Sequence, residues 1–220
     1  MKKLKISFYL NIFIFILVLI ATIIMLTGFQ FMGEDLVLTA TKIEAFKFFT
    51  VDSNVLMGIT AIIFALYEHK YIKNKEKIPT FMYVLKLVST TAVVLTFLTT
   101  TFYLAPFVPS GFFSMFINSN LFFHFIIPLL SLVTFMFFEN TNVIKFKYTF
   151  LGIIPTFLYA IFYLINVLLH IENDKVSYTY DWYGFAQGGT NTIVFTFSFM
   201  LIITYVICAI IWLFNKKISK

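Results

Sequence analysis

Six stretches of this chain are each too long and too apolar for a water-soluble core to hide. They run approximately over Ile6–Leu26, Phe48–Tyr67, Phe81–Leu104, Leu121–Phe138, Phe150–Leu169 and Thr192–Phe214. About 20 apolar residues in a helix cross the hydrocarbon of a bilayer. Backbone groups facing lipid must be bonded within their own segment, which predicts helices rather than strands. The expected fold is all-α: one domain over residues 1–220, a polytopic bundle of six transmembrane helices. Composition agrees, since 60% of the 220 residues are hydrophobic and 12% charged, against roughly 25% charged in soluble domains. The first run follows Met1-Lys2-Lys3-Leu4-Lys5. It is long for a signal peptide and no small-x-small cleavage site follows it, so it reads as a retained helix.

All 16 cationic residues are lysines. Twelve flank the ends that would share one side: Lys2, Lys3, Lys5, Lys70, Lys73, Lys75, Lys77, Lys145, Lys147, Lys216, Lys217 and Lys220. Three lie in the other loops, Lys42, Lys47 and Lys175. Lysine-rich segments stay inside, so both termini are expected in the cytoplasm of a cell-membrane protein. Lys86, early in the third run, is expected to snorkel to that side. Charge spread in this way marks topology and not a nucleic-acid face, which needs clustered cations. The single cysteine, Cys208, has no disulfide or metal partner and reads as a small packing residue.

Polar residues inside spanning helices are costly, so their spacing carries information. Residues three and four apart share a helix face. Thr50, Asn54 and Gly58 form such a stripe, as do Asn120, His124, Pro128 and Ser131. Tyr159, Tyr163, Asn166 and His170 form a third, and Asn191, Ser198 and Tyr205 a fourth. The expectation is that these four stripes converge. Asp52 lies off the Thr50 stripe, and His69, between Glu68 and Lys70, reads as solvated. At 1.5 Å per residue, Thr50, His124 and His170 all fall within about two turns of the outer boundary. A hydroxyl attacks an ester well only when a base takes its proton, and imidazole is the usual base near neutral pH. Thr50 with His124 suits that pairing; the alternative for Thr50 is a helix cap or a back-bonded hydroxyl. The loop Ser177 to Gly189 is dense in Tyr and Trp. It reads as an aromatic belt at the interface, with a lid over an outward-opening site as the alternative. No phosphate loop, zinc motif or G-x-S-x-G elbow occurs, and no metal or organic cofactor is implied.

These residues resemble a known family. Lys47-Phe48-Phe49-Thr50-Val51-Asp52 is similar to the motif around the nucleophilic threonine of the androgen-induced and androgen-dependent TFPI-regulating proteins, membrane hydrolases of fatty acid esters of hydroxy fatty acids. Asn120-Leu121-Phe122-Phe123-His124-Phe125-Ile126-Ile127-Pro128 resembles their catalytic histidine motif, with the histidine four positions before a proline. His170 and the aromatic run Tyr180-Asp181-Trp182-Tyr183-Gly184-Phe185 look like the family's further histidine and following loop. The pattern Thr50 to Asn54 is also like that of uncharacterised bacterial relatives. The resemblance implies a lipid-ester hydrolase with Thr50 as nucleophile and His124 as base, supported by Asn54, Asn120, Asn166, His170, Trp182 and Tyr183. Asn54 or Asn120 would donate to the oxyanion. The implied partners are the lipid bilayer and an acyl-ester substrate. The competing expectation is a small-molecule transport component with an outward-facing pocket.

Overall fold

The computed structural model describes residues 1–33, 42–139, 144–172 and 175–218. Lys220, counted above among the flanking lysines, lies outside them. Among the described residues six helices are long and apolar enough to cross a membrane: α1 Lys2–Thr27, α2 Phe49–Asn74, α3 Thr80–Phe107, α4 Asn118–Phe137, α5 Phe146–Leu169 and α6 Asn191–Ile218. No strand occurs among the described residues.

The centre of the bundle is α3. Every side chain from Lys86 to Thr96 is buried, the pattern of a helix surrounded by others rather than lying at a surface. It packs against α2, α4, α5 and α6. Its run Ser89-Thr90-Thr91-Ala92 allows this because small residues let backbones approach closely. Two of the hydroxyls turn back onto the helix, Ser89 to the Leu85 carbonyl at 3.0 Å and Thr91 to the Leu87 carbonyl at 2.8 Å. Around it, α1 buries Ser7, Asn11, Ile14, Val18, Ala21 and Met25, one stripe at three- and four-residue spacing. Its other faces expose Phe13, Ile16 and Ile23, and α6 likewise exposes Phe195, Phe199 and Ile202. Such a continuous apolar exterior has its natural solvent in lipid.

Prolines accompany breaks in the regular hydrogen-bond ladder of α3 and α4. Pro128 has no N–H to donate to the carbonyl of His124 four residues before it, and its ring crowds that carbonyl. The chain responds with a wide π turn over Phe122–Ile126 before the regular helix resumes at Ile127–Phe137. Pro106 accompanies a similar π turn at Thr99–Leu104 in α3. A widened turn rotates whatever precedes it relative to the rest of its helix.

Two sequence expectations are corrected here. The stripe Asn191, Ser198 and Tyr205 does not converge with the others: Asn191 and Ser198 are exposed and Tyr205 is half-exposed. The buried face of α6 is Ile193, Phe197, Thr204, Ile207, Cys208, Ile211 and Trp212. Shape decides this, because Gly152 of α5 leaves a space that Cys208 fills, and a Cβ on Gly152 would lie 2.5 Å from the Cys208 sulfur. Lys86 does not snorkel either. It is 0% exposed and turns into the bundle.

Candidate functional site

The first turn of α2 starts from Phe48, whose extended backbone (φ −91°, ψ 130°) breaks the chain into the helix. Thr50 is half-buried on this turn. Its carbonyl accepts hydrogen bonds from Ser53 Oγ at 3.1 Å and Asn54 Nδ2 at 2.7 Å. The same Asn54 Nδ2 donates at 3.0 Å to the carbonyl of Phe123 in the π turn of α4. One fully buried carboxamide therefore joins the Thr50 turn to the residue next to His124. Ser53 ties the turn to α3 through the Thr96 hydroxyl at 3.2 Å.

His124 is buried, with its Nδ1 2.7 Å from the carbonyl of Met115 and its ring edge-on to Phe116. A carbonyl only accepts, so Nδ1 carries the proton and Nε2 presents its lone pair. The Met115 carbonyl is held in place because the loop before α4 folds inward. Ala105, Met115 and Phe116 form a small buried cluster, while Phe107 and Phe113 point out. Among the described residues Thr50 Oγ1 makes no hydrogen bond, and none joins it to His124. Asn120 is half-buried at the start of α4 and its carboxamide makes no hydrogen bond among the described residues.

His170, expected beside Thr50 and His124, has its partners among the described residues in Asn166 and Tyr180. His170 ends α5 with Nδ1 2.7 Å from the Asn166 carbonyl and stacks flat on Tyr180, ring centroids 3.6 Å apart. Asn166 Nδ2 donates to the Tyr180 carbonyl at 2.7 Å. Both residues hold the segment around Tyr180, and among the described residues no hydrogen bond or ring contact joins either to Thr50 or His124.

Residues 177–189 of the loop between α5 and α6 form a folded plug. Asp181, 0% exposed, organises it by accepting from the Tyr163 hydroxyl, from the backbone N–H of Ala186 at 3.0 Å and from Gln187 Nε2 at 2.7 Å. Trp182 Nε1 donates at 3.0 Å to the hydroxyl of Tyr159, which itself donates at 2.6 Å to the Lys47 carbonyl. The Tyr183 hydroxyl accepts from the backbone N–H of Phe49 at 3.2 Å. Burial pushes the Tyr183 phenol up from its ordinary value, so it stays neutral. The aromatic loop thus sits on the α2 turn that carries Thr50.

A second polar site, at the lysine-rich end, escaped the sequence reading. Lys86 Nζ lies 3.2 Å from Glu139 Oε1, with both side chains 0% exposed. It also donates to Asn11 Oδ1 at 2.7 Å. Asn11 Nδ2 lies 2.7 Å from Glu139 Oε1 and 3.2 Å from Glu68 Oε2. Ser7 Oγ completes the group, 3.3 Å from Asn11 Nδ2 and 3.5 Å from Glu139 Oε1. The signal was present: Asn11 lies four residues after Ser7, Glu68 and Lys86 each lie six residues from the end of α2 and the start of α3, and Glu139 lies just past α4. Each charge alone reads as a flank of a membrane span. No protein-family model matches this chain, and no curated protein or solved structure is similar to it.

Proposed function

We propose that this chain is an intramembrane hydrolase of lipid acyl esters, with Thr50 as nucleophile and His124 as its base. The observation that carries the reading is the orientation of His124. Its Nδ1 is fixed on the Met115 carbonyl, so the nitrogen left to take a proton is Nε2. Asn54 holds the two segments together from between them. Thr50 Oγ1 would attack the acyl carbon and give its proton to Nε2. The tetrahedral intermediate would collapse as that proton passes to the leaving alcohol, and water would release the acyl group by the same steps. Catalytic hydrogen bonds are often long until substrate binds and tighten only then. Asn54 has its N–H groups directed at two carbonyls, so Asn120, whose carboxamide is uncommitted, is the better oxyanion donor. The chain lies in the cell membrane with its lysine-rich end in the cytoplasm, so the Thr50 site opens toward the outer leaflet, where an acyl chain enters between helices beneath the aromatic plug.

The buried charges at the opposite end favour one competing reading, a small-molecule transport component with an outward-facing pocket, since intramembrane ion pairs commonly line substrate or proton paths. The test is labelling of the purified protein by a fluorophosphonate probe. Labelling of the wild type that disappears in Thr50→Ala supports the hydrolase. Turnover of a medium-chain fluorogenic ester that is undiminished in Thr50→Ala overturns it and favours transport.

A further inference from the structure

The cluster of Ser7, Asn11, Glu68, Lys86 and Glu139 holds two carboxyl groups and one ammonium group away from solvent. Its hydrogen bonds leave a definite gap. Lys86 Nζ is directed at Asn11, at Glu139 and, at 3.8 Å, at the Met57 sulfur. Asn11 Nδ2 is shared among Ser7, Glu68 and Glu139. After that, Glu68 Oε1 and Glu139 Oε2 remain buried with no donor. A buried acceptor without a donor carries its whole desolvation penalty, and an uncompensated charge in the bilayer carries a larger one. With both carboxyls ionised the cluster has one negative charge too many and too few donors. One more positive charge that is itself a hydrogen-bond donor corrects both at once.

We infer that this cluster is a proton-binding site, in which Glu68 and Glu139 together hold one proton beside the Lys86 ammonium. A proton fits better than a metal cation. Lys86 already lies on Glu139, where its charge would repel a second cation, and among the described residues no three His, Cys, Asp or Glu side chains converge on a point. The groups that face the site come from every helix packed there. α1 supplies Ser7 and Asn11, α2 supplies Glu68, α3 supplies Lys86 and Tyr83, and the end of α4 supplies Glu139; Tyr83 lies within electrostatic reach of both carboxyls. His69, next to Glu68 in sequence, is exposed and packs on Phe8 instead. The site is far along the helices from Thr50 and does not depend on the hydrolase reading. Loss of the proton leaves a net negative charge where α1, α2, α3 and α4 meet, so occupancy of the site sets how tightly that end of the bundle closes.

The experiment is infrared difference spectroscopy of the full-length protein in lipid nanodiscs near neutral pH, reading the C=O band of protonated carboxyls and its shift in deuterium oxide. The wild type is expected to show this band, unchanged by added sodium or potassium chloride. Glu68→Gln and Glu139→Gln should each abolish it, because the remaining carboxylate is then neutralised by Lys86. Asp52→Asn, which alters an exposed carboxyl of α2 outside the cluster, should keep it. Lys86→Met should raise the band about twofold, since two carboxyls then need two protons. No band in the wild type overturns the inference without recourse to any variant. So does a band that survives both Glu→Gln changes, and so does a band that sodium or potassium removes at constant pH, which would assign the site to a metal cation.

Discussion

Asn54 does work at the Thr50 turn that its neighbours cannot replace. Its Nδ2 serves two backbone carbonyls at once, one of them Thr50's own. Asn54→Leu leaves both without that donor, and the expected loss is about 1–3 kcal/mol of stability. Thermal unfolding in detergent, with ester turnover at matched folded protein, checks it. Asn54→Asp should be at least as harmful, because an ionised carboxylate would face two carbonyls with nothing to donate. Thr50 and His124 are a different case. If they act as one unit, losing either costs nearly as much as losing both. Thr50→Ser should keep part of the turnover, and Thr50→Ala, His124→Ala and the double variant should be equally inactive. His170→Ala should lower activity far less, because His170 bonds to Asn166 and stacks on Tyr180. Additive losses at Thr50 and His124 would show that they do not share a step. At this scale the sequence was informative where spacing implies direction. Asn54 and His124 could be assigned to inward faces because polar residues recur at helical spacing around them, and both are buried. Lys86, Glu68 and Glu139 could not, because a charge within two turns of a helix end or just past it has two low-energy solutions, outward to water or inward to a partner, and only the positions of the other helices choose between them.

Among the elements, α4 shows most clearly how a local rule sets up a site. Pro128 cannot complete the bond to the His124 carbonyl, the turn widens over Phe122–Ile126, and the imidazole meets the Met115 carbonyl. In Pro128→Ala the regular ladder can close. The ring should then leave Met115, and a misplacement of about 1 Å costs about a hundredfold in rate. The expected result is a large fall in ester turnover with unfolding temperature unchanged or raised. A fall in both together would mean that the proline serves folding rather than the direction of His124. The contact of α5 with α6 makes a separate point. A Cβ on Gly152 would stand 2.5 Å from the Cys208 sulfur and 2.7 Å from its Cβ. Gly152→Ala must therefore push the helices apart, and overpacking of this kind costs about 1–3 kcal/mol. The six helices were legible because their length and hydropathy are set by the thickness of the bilayer. The inward face of α6 was not, because α6 is apolar all round. Its three spaced polar residues looked like a seam, while the real seam is the fit of Cys208 against Gly152.

For the whole molecule, the remaining question of orientation turns on charge. Both termini lie at one end of the bundle, which follows from six spans and from Ser7 of α1 reaching Glu139 beyond α4 while Asn215 of α6 bonds the Phe135 carbonyl at 2.8 Å. The loops at that end carry nearly all the flanking lysines, and the loop before α4 carries no charge from Ala105 to Asn120. Translocating a lysine-rich segment is disfavoured, so the lysine-rich end should stay in the cytoplasm. Two exposed positions make this measurable, Ser110 in the uncharged loop and Lys75 after α2. Cys208 is 0% exposed, so it gives little background with a membrane-impermeant maleimide. In intact cells Ser110→Cys should be labelled and Lys75→Cys should not. After lysis both should be labelled. A C-terminal reporter should agree, active only in its cytoplasmic form. The reverse pattern at both positions would invert the protein and place Thr50 and His124 toward the inner leaflet, where the proposed ester substrate would have to be a lipid of the cytoplasmic face. Labelling of both positions in intact cells would instead mean that α3, the one span between them, does not cross.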